Sequence, residues 1–453
     1  MKRLIPFLLV LLGIAPLSST PRQGQIKAGT NVGAQEVRLA LPTFESKSAD
    51  PNAVRLTALF NQVLRDDLDY SGNIALISPS FYPLGKFQVP TDIKVEDWTK
   101  PSVNAQYLVF GSADLSGGTL RFEARLWDLG VVENRELLGY RFTSGALTDD
   151  AVRLTAHTFA DQIVDKLFGG RIGIARTRIA YVSVSSNNIK ETIKEINVMD
   201  YDGANSAPLT TYRSISIMPA WSPDSDKVAF ISFRSKTPQL EIMSVLDRRP
   251  LSFPSMAGTA NSPAWSPDGS RIAFASSKSG NFELYASDWN GKNMQQITVS
   301  PKSIEVSPSW NPKTGQSIVF VSDRSGTQQL YIMNADGTNP ERIIDEGGDA
   351  EYPSWSPDGQ NIVFSWLRNK TDGHYNVYIH DLVSGRNTQL TGATQDQGQN
   401  ERPSWSPDGR HIVFASNRTG VSQIYTMLAN GQKVRQLTRN GRNEGPAWSA
   451  FGK

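Results

Sequence analysis

The feature that most constrains this chain is a tripeptide, Pro-x-Trp, that returns six times, ending at Trp221, Trp265, Trp310, Trp355, Trp405 and Trp448. The intervals are 44, 45, 45, 50 and 43 residues. Self-similarity at this period predicts a β-propeller, in which each repeat is a four-stranded blade that cannot bury its faces alone. Four of the six Trp are followed by Ser-Pro-Asp, with Gly added after Trp265, Trp355 and Trp405. That run is a tight turn: Pro sets φ, Asp accepts from its own backbone and Gly takes the left-handed conformation. Seven and nine residues after the Trp come Val228/Phe230, Ile272/Phe274, Ile362/Phe364 and Ile412/Phe414. An extra turn residue after Trp310 shifts that pair to Ile318/Phe320. Period-two apolarity of this kind predicts a second strand. A third strand carries Tyr285, Tyr331, Tyr378 or Tyr425, and turns such as Asp336-Gly337 and Asn430-Gly431 lead to a short outer strand.

The ends of the repeat array set the blade count. Arg178-Ile179-Ala180-Tyr181 matches Arg271-Ile272-Ala273-Phe274, so the array opens on a second strand, and Ile172 stands where a Trp is expected. Trp448 has a first strand but no room for the rest before Lys453. The two partial units are expected to join as one composite blade, giving six in all and leaving no free sheet edge. The propeller should span 178–453. Repetition of the six Trp in every unit predicts a packing role between blades. Asp224, Asp268, Asp358 and Asp408 recur once per blade and read as turn residues.

Ahead of the array, Lys2 and Arg3 precede an apolar run over 4–14, then Pro16, Ser18 and Ser19. This is the pattern of a secretory signal peptide over 1–20, cleaved between about residues 17 and 24; the run is too short to span a membrane. An exported, soluble mature chain with no membrane span is expected. Residues 21–35 are polar and Gly-rich, which predicts a flexible segment. Residues 36–170 read as an α+β domain. Strands are predicted over 36–41, 73–78, 106–111, 119–128 and 136–143. A helix starts at Asp50-Pro51, with a stripe of Val54, Leu59, Val63 and Leu64. A second starts at Thr148, with Val152, Phe159, Ile163 and Leu167 on one face, and stops at Gly169-Gly170. The fold class is thus an α+β N-terminal domain followed by an all-β six-bladed β-propeller closed by the C-terminal strand.

Composition narrows the function. Lys+Arg is 46 against Asp+Glu at 44, which lacks the basic excess that nucleic acid requires. With no Cys, disulfides and thiolate chemistry are impossible. Four His, at 157, 374, 380 and 411, are too scattered for a histidine metal cluster, and the last three read as ordinary loop or strand residues. No phosphate loop or nucleophile elbow appears, so no catalytic residue, metal or cofactor is expected. The alternative, a secreted propeller peptidase or glycan lyase, needs a Gly-x-Ser-x-Gly elbow in a further domain or a His cluster.

Strand direction sorts the loops. First-to-second and third-to-fourth turns share one propeller face, and second-to-third turns and inter-blade connections share the other. The second face holds the irregular loops, including the extra length of the 50-residue unit around 369–374 and 393–399, and irregular loops on a regular scaffold carry binding. Basic residues stand there at Arg234, Lys278, Arg324, Arg368 and Arg418. A second polar ring four residues before the Trp comprises Asn261 (with Ser262 beside it), Glu351, Glu401 and Glu444. These rings either pair with each other across the loops or present charge to a protein docked over the channel mouth.

Taken together, the α+β domain, the junction over 176–182, the helix carrying His157-Thr158, the six units and the closing Trp resemble the TolB family of the periplasmic Tol–Pal system. The resemblance implies a non-enzymatic, monomeric periplasmic protein that binds the lipoprotein Pal through its propeller and TolA through its N-terminal segment. It further implies a role in outer-membrane integrity and in invagination during cell division.

Overall fold

The computed structural model describes residues 36–171, 173–186, 192–369, 373–392 and 398–451. The expected signal peptide and flexible segment lie outside the described residues.

The N-terminal domain is a mixed sheet under two long helices. Its strands are β1 (Val37–Ala40), β2 (Glu45–Ser46), β3 (Ile74–Leu76), β4 (Tyr107–Ser116), β5 (Thr119–Asp128) and β6 (Glu136–Ser144), and its helices are α1 (Pro51–Tyr70), α2 (Val95–Thr99) and α3 (Asp149–Phe168). The order β3-β1-β4-β5-β6 places parallel pairs at β1 and an antiparallel meander over β4 to β6. Asp50 caps α1 by accepting the backbone N–H groups of Asn52 and Ala53 at 2.9 Å, with Pro51 pre-set for the first turn. Thr148 caps α3, and Gly169 ends it in the left-handed region at φ 67. The two helices cover one sheet face, where Phe60 stacks on Phe122 with centroids 4.1 Å apart. Trp98 of α2 fills the other face beside Leu108 and Phe110.

One expectation about α1 needs correcting. Its buried face runs through Ala53, Leu56, Phe60, Val63, Leu64 and Leu68, while Val54 is exposed and Leu59 only half-buried. Two overlapping apolar phases exist along this helix, and the sheet accepts the one that includes Phe60.

The propeller has six four-stranded sheets. Five are built from consecutive strands. The sixth joins the closing strand Arg442–Trp448 to β7 (Arg178–Ser186), β8 (Thr192–Asp200) and β9 (Ala207–Pro208), with Trp448 opposite Ile179. The repeated Trp are buried and lace blades together. The indole N–H groups of Trp221, Trp265 and Trp355 donate to the backbone carbonyls of Ala447, Ala220 and Ser309 in the preceding blade at 3.0–3.1 Å. At the seam, the Trp448 indole donates to Thr177 Oγ1 at 2.8 Å, tying the last strand to the junction.

The two domains share one core: Leu64, Tyr70 and Phe159 lie in the same buried cluster as Tyr201, Val413, Ile424 and Trp448. The α+β domain rests on the turns around Asp408–Arg410, around Gly431–Arg435 and around Asp200–Ala204, all first-to-second or third-to-fourth turns. It therefore occupies part of the face opposite the inter-blade connections. Among the described residues, no helix is long and apolar enough to cross a membrane.

Candidate functional site

Each inner strand carries a β-bulge at the same place. Pairing with the second strand slips after Ile217, Asn261, Val306, Glu351, Glu401 and Glu444. The bulged residues are Met218, Ser262, Ser307, Tyr352, Arg402 and Gly445, all in the left-handed region at φ 48 to 58. Each precedes a proline. A side chain in this conformation costs about 1–2 kcal/mol, so five non-Gly residues here are held by the surrounding blades. The bulge turns these side chains toward the propeller axis, where they line a channel of ≈ 540 Å³ together with the Pro-x-Trp segments.

Scaffold repeats; lining does not. Ser262 Oγ lies 3.5 Å from Ser307 Oγ and 3.6 Å from Met218 Sδ. Across the mouth, Arg402 donates to the Tyr352 hydroxyl at 2.8 Å, its guanidinium 4.1 Å from that ring's centroid. Just outside this ring stand Ile217, Asn261 and Val306 on three blades and Glu351, Glu401 and Glu444 on the other three. One half of the mouth thus lacks charge at this position, and the other carries three carboxylates beside Arg402, Lys194 and Arg442. Burial pushes the carboxyls of Glu351 and Glu401 up; Glu351 accepts from Tyr375 at 3.1 Å, and Arg402 opposes the shift at Glu401. Glu444 is ion-paired with Lys194 and Arg442.

The basic ring lies outside the acidic one, and Arg234, Arg324 and Arg368 pair with carboxylates other than those of that ring. Arg234 pairs with Glu241 at 2.6 Å and sits 3.7 Å over Tyr212, whose hydroxyl burial pushes up to about 12. Arg324 pairs at 2.9 Å with Glu305, a carboxylate with 0% side-chain exposure. Arg368 pairs with Glu346, Arg418 donates to Asn400, and Lys278 is exposed. Arg324, Arg368 and Arg418 also lie over aromatic rings of their own blades. Anchored in this way, the arginines brace the loops. Of the enlarged unit's extra length, 370–372 and 393–397 lie outside the described residues.

On the other face, the aspartates make turns: Ser266 Oγ donates to Asp268 at 2.6 Å, and the Ser270 N–H donates at 3.1 Å. Asp408 does more, because His411 also donates to it at 3.0 Å.

Residues 29–137 match the TolB amino-terminal domain, and residues 164–371 and 347–453 match the TolB beta propeller domain. The chain belongs to the TolB family. A Tol-Pal system protein TolB of Roseobacter denitrificans is 32% identical over 223 residues, covering 49% of this chain and 47% of that protein. Its counterpart in Bordetella pertussis is 32% identical over 306 residues, covering 67% and 65%. The matches thus span about half to two thirds of those relatives' length. TolB from Acinetobacter baumannii shares the fold, with a TM-score of 0.74 at 23% identity over 92% of this chain and 97% of that one.

Two features of this TolB-family chain escaped the sequence reading. The bulge ring was visible only as the variable residue before each proline; Ser262 was singled out, whereas Met218, Ser307, Tyr352, Arg402 and Gly445 were not. The histidines were the other miss. His374 is exposed and His380 bonds to Asn387 within its blade, but His157 and His411 are both buried at the joint between the domains. His157 Nδ1 donates to Asp67 at 2.7 Å, and the Tyr201 hydroxyl, from the propeller, donates to the same carboxylate at 2.6 Å. Burial pushes the Asp67 carboxyl up against the opposing pull of those two bonds.

Proposed function

We propose that this chain is a non-enzymatic, periplasmic binding component of the Tol–Pal system, receiving Pal over the channel mouth on the inter-blade face and contacting TolA through residues 21–35. In that role it serves outer-membrane integrity and invagination during division. The observation that carries the reading of the face is the pairing of a non-repeating channel mouth, with carboxylates on three blades only, with an opposite face partly taken by the α+β domain. A docked protein of ordinary size buries about 800 Å² per partner, which draws residues from several blades on the open face. The relatives' name, Tol-Pal system protein TolB, supports the choice of system.

The structure changes which residues should be tested. Reversing Arg324 would strand the buried Glu305 and confound binding with folding. Lys278→Glu on the inter-blade face and Lys292→Glu on the opposite face of the same blade make a matched pair. Calorimetric titration with Pal should give weaker binding that falls less steeply with added salt for the first and wild-type binding for the second. The reverse ranking, in folded proteins, would overturn the face assignment.

A further inference from the structure

The joint between the domains brings together one histidine and two carboxylates from distant parts of the chain. A ring nitrogen of His157, on α3, and one carboxylate oxygen each from Asp200 and Asp202, at the end of β8 and in the turn after it, lie within 4.8 Å of one another. We propose that these three side chains form a site for a divalent transition metal of the zinc class, bridging the α+β domain and the propeller.

The arrangement around His157 favours a metal over a merely structural histidine. Its side chain is 4% exposed, and Nε2 has no hydrogen-bond partner among the described residues. Nδ1 is held by Asp67, itself fixed by the Tyr201 hydroxyl. A carboxylate gripping one ring nitrogen while the other faces a ligand position is the recurrent outer shell of metal-bound histidine. One nitrogen and two carboxylate oxygens suit zinc-like ions at bond lengths of about 2.0–2.2 Å and leave a fourth position open. An imidazole ligand disfavours magnesium and calcium, which take oxygen.

Two competitors stand at the site. Arg153, one turn before His157 on α3, is ion-paired with Asp202, and its Nε is also buried without a partner among the described residues. A metal must push this guanidinium off the inner side of Asp202. The second competitor is a proton. Burial opposes charge on His157, but its bond to Asp67 and the charges of Asp67 and Asp202 outweigh that and raise its pKa. Metal binding releases this proton, so affinity should rise with pH.

The test uses the full mature chain, stripped with chelator, titrated with zinc by calorimetry and with cobalt(II) by visible absorption. One saturable site is expected, with an upward shift of the thermal midpoint because the ligands come from two domains. Asp200→Asn and Asp202→Asn should each weaken binding at least tenfold. Asp67→Asn, which removes the outer-shell carboxylate, should weaken it by about 10–100-fold. Arg153→Met should tighten it, an outcome no incidental surface site would give. Calcium should not compete. Absence of saturable binding, or equal affinity in wild type and in both folded Asp200 and Asp202 variants, would overturn the proposal.

Discussion

The Nε2 of His411, at the start of a propeller strand, donates at 2.7 Å to the backbone carbonyl of Tyr70, the last residue of α1, 341 positions earlier. The same ring donates through Nδ1 to Asp408 at 3.0 Å. His411 is fully buried, and its ring centroid lies 4.7 Å from that of Tyr70 and 6.2 Å from that of Trp448. One side chain thus links the helix end, the Ser-Pro-Asp-Gly turn of the last complete blade and the closing strand. It ties the α+β domain to this blade, on the face opposite the inter-blade connections.

His411→Ala is expected to act on the whole molecule. It leaves the Tyr70 carbonyl without its donor and takes from Asp408, whose side chain is 12% exposed, its charged partner, a loss of up to about 3–5 kcal/mol for removing one member of a largely buried pair. Both domains should lose stability together in chemical denaturation. A variant that melts only one of them would show that the joint is not cooperative.

Acid should expose the same contact. Burial alone would raise the Asp408 carboxyl, but the charge and hydrogen bond of His411, with further bonds from Ser406, hold it down at about 2. A depressed carboxylate contributes stability that is fully present above its unfolded pKa of about 3.9 and is lost as pH falls through the folded value. The stability difference between wild type and Asp408→Asn should therefore shrink as pH falls from about 5 toward about 2. A difference unchanged across that window would mean that Asp408 is not the group involved.

The propeller was legible because its determinants are local and repeated: a Trp, a turn and an alternating pair write out each blade. The α1 phase was not, since Val54 and Leu59 offer a second apolar stripe and only the sheet decides between them. The channel ring escaped because its variable residues carry no common chemistry. What unites Met218, Tyr352 and Arg402 is a backbone conformation. The joint escaped for another reason. Asp67, His157 and Tyr201 meet only after both domains fold, and no spacing rule links positions so far apart.

Closure can be tested by truncation. The closing strand pairs with β7, and Trp448 donates to Thr177 and packs in the shared core. Deleting residues 445–453 should open the sheet edge and lower the thermal midpoint of the entire protein. Trp448→Ala alone should cost about 3–5 kcal/mol. An unchanged midpoint in the truncated protein would refute the dependence of the ring on its last strand.

The bulge ring makes a quantitative prediction about glycine. Gly445 is the only Gly among the six bulge positions, at φ 57. A Cβ there would meet Arg402 Cδ at 3.6 Å and Val182 Cγ2 at 3.7 Å, which are ordinary contacts. Gly445→Ala therefore carries the left-handed backbone penalty of about 1–2 kcal/mol, partly offset by about 0.4–1 kcal/mol from a stiffer unfolded chain. The net loss should lie between about zero and about 1.6 kcal/mol by the same two terms. Gly337, in a third-to-fourth turn, has the same handedness but no room: its Cβ would lie 1.9 Å from the Ile297 carbonyl oxygen, an atom fixed in the neighbouring blade. Gly337→Ala should be several-fold more damaging in urea unfolding, because the blades must separate to admit the methyl group. Equal losses would mean that conformation alone governs both sites. A large loss at Gly445 would mean that the channel mouth is packed more tightly than these distances indicate.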